Sequence, residues 1–144
     1  MGSATMGKVL VTAKIENLKD LYLASQRKVK KPRVRTVEVS DALVDSGATF
    51  LSLPSALIQQ LGLNRFGERR MRTAGGVREV PFYEAVRLTI LERNCVAEVV
   101  ELADDCPVLI GQLPLEAMDF VIDMKRQKLI GNPEHGGKWM ADMF

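Results

Sequence analysis

Ala42-Leu43-Val44-Asp45-Ser46-Gly47-Ala48-Thr49 is the stretch on which the reading of this chain turns. An apolar run ends directly on a carboxylate, and a small hydroxyl residue and a glycine follow. A polar group emerging from a buried strand needs partners, because unpaired burial is costly. Gly47 lets the backbone turn sharply and come close to the carboxylate. Ser46 adds a short hydroxyl that can brace the turn. The segment reads as a strand end that presents a fixed acid. An Asp-Ser-Gly tripeptide is also an ordinary turn, so the flanking sequence has to decide between the two.

The flanks are those of a β protein. Val9, Val11, Ala13 and Ile15 recur every second residue, the period of a half-buried strand. Val34, Val37 and Val39 lead into Ala42. Val86, Leu88 and Ile90 alternate again, and Val96, Val99, Val100 and Leu102 form another β-rich run. Val108-Leu109-Ile110 is a short continuous apolar run stopped by Gly111, as a buried strand would be. Phe120-Val121-Ile122 and Leu129-Ile130 flank a polar stretch from Asp123 to Lys128, the pattern of a hairpin. Helix signals are confined to Pro54–Leu61, with Ser52 as candidate cap and Gly62 as stop, and to Pro114–Met118. The predicted fold class is all-β, a closed barrel of short strands with one or two short helices.

A length of 144 residues implies one domain. An apolar content of 47% supplies a core and argues against global disorder. Residues 1–7 read as a tag or disordered lead, 8–133 as the folded domain and 134–144 as a C-terminal tail. The net charge of +2 is too small to make nucleic acid the main partner. No apolar run is long enough to span a membrane, and no secretory signal is visible. Two cysteines, Cys95 and Cys106, do not make a disulfide scaffold. A cytoplasmic setting with reduced thiols is therefore expected. The basic run Arg27–Arg35 holds six positive charges and no negative one. It reads as a solvated hairpin or an edge strand guarded by its lysines and Pro32, with binding of nucleic acid or an acidic substrate as the alternative.

Rival chemistries find little support. His135 is the only histidine, so a Ser-His-Asp or Cys-His system would have to use it. It stands beside Gly136-Gly137 in the expected tail, a poor place for a positioned base. Cys95, Cys106 and His135 lack zinc-site spacing, and no metal or cofactor is expected. Gly75-Gly76 is not followed by the Lys-Ser/Thr of a phosphate loop and reads as a hairpin turn. The Asp-x-Gly-Thr phosphate loop of sugar kinases belongs to a fold of two large lobes, more than 144 residues can build.

Taken in order, these motifs resemble the retropepsin-like aspartic proteases, including their single-domain bacterial relatives. Leu43-Val44-Asp45-Ser46-Gly47-Ala48-Thr49 matches that family's apolar pair followed by Asp-Thr/Ser-Gly-Ala. Val108-Leu109-Ile110-Gly111 resembles its second apolar-apolar-Gly element, and Met71–Arg78 resembles its flap hairpin, with Gly75-Gly76 at the tip. The helix at Leu115–Asp119 and the closing hairpin at Asp123–Pro133 follow in the family's order. The resemblance implies an aspartic endopeptidase with Asp45, Ser46 and Gly47 in the catalytic loop. It also implies peptide contacts from Ala48, Ile110 and the flap residues Thr73, Ala74, Gly75, Gly76 and Val77. Such enzymes need two carboxylates, and no other aspartate here begins an Asp-Ser-Gly loop. The second must come from a symmetry mate, so a homodimer acting on a peptide or protein substrate is expected. Thr49 and Gln112 stand where retroviral members carry an Asp–Arg ion pair near the dimer interface. A retropepsin-like dimer that binds extended peptide without cutting it is the alternative.

Overall fold

The computed structural model describes residues 8–26 and 33–143. The expectation for residues 1–7 and most of the basic run lie outside the described residues.

Strand β1 (Val9–Asn17) pairs antiparallel with β2 (Thr36–Val44), Val9 opposite Val44 and Ile15 opposite Val37. A short central strand, β7 (Leu109–Ile110), runs parallel to β2 and antiparallel to β3 (Leu51–Pro54). Strand β3 lies parallel to β6 (Arg93–Leu102), and β6 is antiparallel to β5 (Gly76–Ile90). The far half of β5 returns to β1, with Ile15 opposite Leu88. The ring β1-β2-β7-β3-β6-β5 therefore closes on itself, as the alternating sequence predicts. Strand β4 (Arg65–Thr73) stands outside the ring as the free arm of a hairpin with β5.

The period-two residues fill the barrel. Ala13, Ile15, Ala42, Leu51, Leu53, Val86, Leu88, Val99 and Ile110 are completely buried. Burying each Leu or Ile contributes roughly 1.5–3 kcal/mol. Val80, Phe82 and Val100 form a smaller cluster under the β4–β5 hairpin, with Phe50 and Met71 against it.

Among the described residues three short α-helices decorate the barrel, one more than the upper expectation. The unforeseen one, α1 (Leu18–Ser25), follows β1 directly. Asn17 caps it by accepting from the Asp20 N–H at 3.0 Å, and its buried Nδ2 donates to the Leu61 carbonyl at 2.8 Å. No residue of α1 is fully buried, and its half-buried Leu18, Leu21 and Ala24 make too short a pattern to announce a helix. Helix α2 (Ser55–Gln60) starts later than expected, and Ser52 is a buried strand residue that does not cap it. The Ala56 N–H is met instead by Asp104 Oδ1 at 2.8 Å. Gly62, at φ +67°, ends the helix as anticipated. Helix α3 (Gln112–Ala117) precedes the expected hairpin of β8 (Phe120–Asp123) and β9 (Lys128–Gly131). No helix among the described residues is long and apolar enough to cross a membrane.

Candidate active site

Strand β2 carries Asp45 out of the core. Val44 is buried, Asp45 half-buried, and Ser46 and Gly47 exposed. Backbone bonds fix the loop at both ends. The Asp45 N–H donates to the Ile110 carbonyl at 2.9 Å, and the Ala48 N–H to the Asp45 carbonyl at 3.1 Å. The Gly47 N–H donates to Asp45 Oδ1 at 2.9 Å and so orients the carboxylate. A Cβ at Gly47 would stand 3.2 Å from that oxygen.

Helix α3 clamps the far side of the loop. The Gln112 N–H reaches the Ala48 carbonyl at 2.8 Å, and the Leu113 N–H reaches the Thr49 carbonyl at 3.0 Å. Gly111 lies directly beneath the crossing. A Cβ there would meet the Phe50 carbonyl oxygen at 2.4 Å, the Thr49 carbonyl carbon at 2.7 Å and the Ala48 carbonyl oxygen at 2.8 Å. All three are backbone atoms, so close approach is what requires glycine at this position. The side chain of Gln112 turns back onto its own helix, donating to Glu116 Oε1 at 3.0 Å. Loop and helix are thus joined through main chain. Ser46 borders a depression of about 270 Å³ shared with Leu115, Phe120, Ile122 and Met124.

The β4–β5 hairpin closes on a two-residue turn, Ala74-Gly75, with Thr73 opposite Gly76. Thr73 Oγ1 accepts from the Gly75 N–H at 3.2 Å and donates to the Gly76 carbonyl at 2.7 Å, while Gly76 takes φ +105°. Val77 is 57% exposed, but Phe82, five residues on, points to the other face and is 2% exposed. Phe82 instead meets Phe50 edge-on, centroids 4.9 Å apart. The Arg69 guanidinium lies over both rings, 4.3 Å from Phe82 and 5.7 Å from Phe50, and bonds Glu98 at 2.6 Å. Phe50 closely follows the Asp45 loop in sequence, so this latch ties the base of the hairpin to the loop. Sequence reasoning missed Phe50, Arg69 and Glu98, because only the strand register brings them together.

A family model described as aspartyl protease matches residues 28–113, more than half of the chain. The chain belongs to the aspartyl protease family. Among solved structures, the EIAV protease complexed with the inhibitor HBY-793 is similar, with a TM-score of 0.50 and 14% identity over 93% of each chain. At that identity the likeness speaks for the fold, the retroviral protease barrel. No curated protein matches the chain.

In this aspartyl protease chain the residues singled out from sequence fall into two groups. Asp45, Ser46, Gly47 and Ala48 form one loop, with the Ile110 carbonyl as its support. Ile110 itself differs from the expectation of peptide contact. It is completely buried between β2 and β3, where a central strand must be apolar on its inner face. Thr73, Ala74, Gly75, Gly76 and Val77 make up the hairpin tip, and among the described residues no hydrogen bond joins that tip to the Asp45 loop.

The segment after Pro133 is well tied to the body. His135 Nδ1 lies 2.7 Å from Asp119 Oδ2, and the Met140 N–H donates to the same oxygen at 3.1 Å. Arg93 donates to the carbonyls of Met118, Asp119 and Gly137, and Trp139 Nε1 to that of Ala117. The hydrogen bond between Asp119 and His135 lowers the carboxyl and raises the imidazole from their ordinary values. His135 is therefore well positioned, contrary to the expectation of a loose tail. Yet among the described residues no serine or cysteine hydrogen-bonds to it, so no nucleophile completes a triad. Burial raises the Cys95 thiol to about 11, which favours its protonated form.

Proposed function

We propose that the protein is an aspartic endopeptidase, active as a homodimer, in which the Asp45 carboxylates of two copies activate one water. The observation that carries this proposal is the presentation of Asp45 at the barrel rim, its Oδ1 held by the Gly47 N–H and its loop clamped by Ile110 and Gln112. A rigid, half-exposed acid suits a group that must meet water and substrate without rearranging. Two such acids related by a two-fold axis come within roughly 3 Å and hold one proton between them. The ionised one takes a proton from water, which attacks the peptide carbonyl carbon. The protonated one gives its proton to the carbonyl oxygen.

The other residues take supporting parts. Gly47 orients the carboxylate, and Ser46 braces the pair across the axis. In such a dimer the second copy would cover the depression beside Ser46. Ala48 and the tip residues Thr73, Ala74, Gly75, Gly76 and Val77 line the peptide, with the hairpin acting as a flap that excludes water. A reducing, cytoplasmic setting suits the free Cys95 and Cys106.

The test is cleavage of a peptide library by wild type and by Asp45→Asn protein. The substitution keeps shape and hydrogen-bonding length but cannot share a proton. Cleavage should vanish while the protein stays folded. Residual cleavage near wild type would remove Asp45 from the chemistry.

A further inference from the structure

The β4–β5 hairpin is charged out of proportion to the molecule. From Arg65 to Glu79 it carries five arginines against two glutamates, whereas the whole chain nets +2. Two of the five are engaged in the structure. Arg65 pairs with Glu68, and Arg69 is held by Glu98 and the two phenylalanine rings. Arg70 stands directly opposite Glu79 in the strand register, so a carboxylate is at hand although the two form no ion pair. Arg72 and Arg78 are left. Both are exposed, and among the described residues neither has a carboxylate within ion-pair distance.

Register places these two cations on either side of the tip. Residues directly opposite in an antiparallel pair share a face. Arg78 is opposite Met71, on the face that carries Val80 and Phe82 and turns toward Phe50. Arg72 is opposite Val77, on the other face, and shares it with Arg70 two residues away. Like charges so placed repel and contribute nothing to hairpin stability. Guarding an exposed edge against aggregation accounts for cations along the bare edge of β4, but it does not call for one on each face of the tip.

We propose that Arg72 and Arg78 make the site selective for acidic peptides, pairing with aspartate or glutamate side chains that flank the bond to be cut. A guanidinium fork matches a carboxylate in two parallel hydrogen bonds. The inference rests on the proposal that the hairpin covers the peptide cut at Asp45, and adds to it the substrate's charge.

The experiment compares matched peptides differing only in acidic, neutral or basic flanks. It reads kcat/KM for wild type, and for Arg72→Gln and Arg78→Gln singly and together. It also reads the anisotropy of the same labelled peptides bound to Asp45→Asn protein, which needs no catalysis. Each acidic residue should favour cleavage and binding by about 3- to 5-fold at low salt, an exposed ion pair's worth. The preference should fade as salt rises and shrink to nearly none in the double variant. Equal handling of all flanks, or a preference untouched by both substitutions, would overturn the proposal. So would tighter binding of a single-stranded oligonucleotide than of the acidic peptide. Arginine-dependent binding of acidic peptide with no cleavage of any peptide would uphold the charge selectivity while removing the protease function.

Discussion

Asp45 owes its geometry to glycines on both sides of it. Gly47 gives the backbone N–H that holds the carboxylate, and Gly111 gives the loop room to pass. Gly111 has an ordinary φ of −89°, so an alanine there would suffer from crowding alone. Its methyl would have to displace the main chain of Ala48, Thr49 and Phe50, which Gln112 and Leu113 hold in place. Gly111→Ala should cost about 2–3 kcal/mol, in the upper range for overpacking, and should lower kcat as the loop shifts. Thermal unfolding and cleavage assays on the one variant check both effects. An unchanged melting point would mean that the loop is far softer than its hydrogen bonds imply. In the sequence Gly111 was visible only as the end of an apolar run. That it underlies the catalytic loop depends on β7 threading between β2 and β3, which no local pattern encodes.

Single elements differ in how plainly the sequence announces them. The barrel strands were legible because a half-buried strand writes its period into the chain, as at Ala13, Ile15, Val86 and Leu88. Helix α1 was not, since it is short, has no fully buried residue and starts from a cap that also ends a strand. The Phe50–Arg69–Phe82 latch was invisible because its members meet only across strands. At the hairpin tip, Gly76 sits at φ +105°, a region closed to branched side chains. Gly76→Val should therefore loosen the tip and speed hydrogen exchange at residues 73–78, leaving the barrel strands protected. Unaltered exchange would show that the turn does not need that conformation.

The C-terminal segment makes a different prediction, about pH. The raised imidazole of His135 stabilises docking below its ordinary 6.5, and that gain is lost as pH rises through its folded value. The lowered carboxyl of Asp119 stabilises above its ordinary 3.8, and that gain is lost as pH falls through its folded value. Glu134 and Asp142 also favour the charged imidazole. The melting-point difference between wild type and His135→Asn should be widest between pH 3.8 and 6.5 and narrow on either side. A difference independent of pH would mean that the ring acts by packing alone.

At the scale of the whole molecule, a six-strand ring with an external hairpin leaves one rim bearing the acid. One chain supplies one Asp-Ser-Gly loop, and the proposed chemistry needs two acids. Activity should consequently fall on dilution as dimers dissociate. The pH–rate profile should be bell-shaped on the acid side, with both limbs belonging to the pair. The most direct measurement mixes wild-type and Asp45→Asn chains at fixed total concentration, lets subunits exchange, and follows cleavage against the wild-type fraction. If each site draws one Asp45 from each copy, only wild-type pairs cut. Activity should then follow the square of that fraction, about a quarter at an equal mixture. A straight-line dependence, with half the activity at an equal mixture, would mean that each chain carries a complete site of its own and would contradict the shared carboxylate pair.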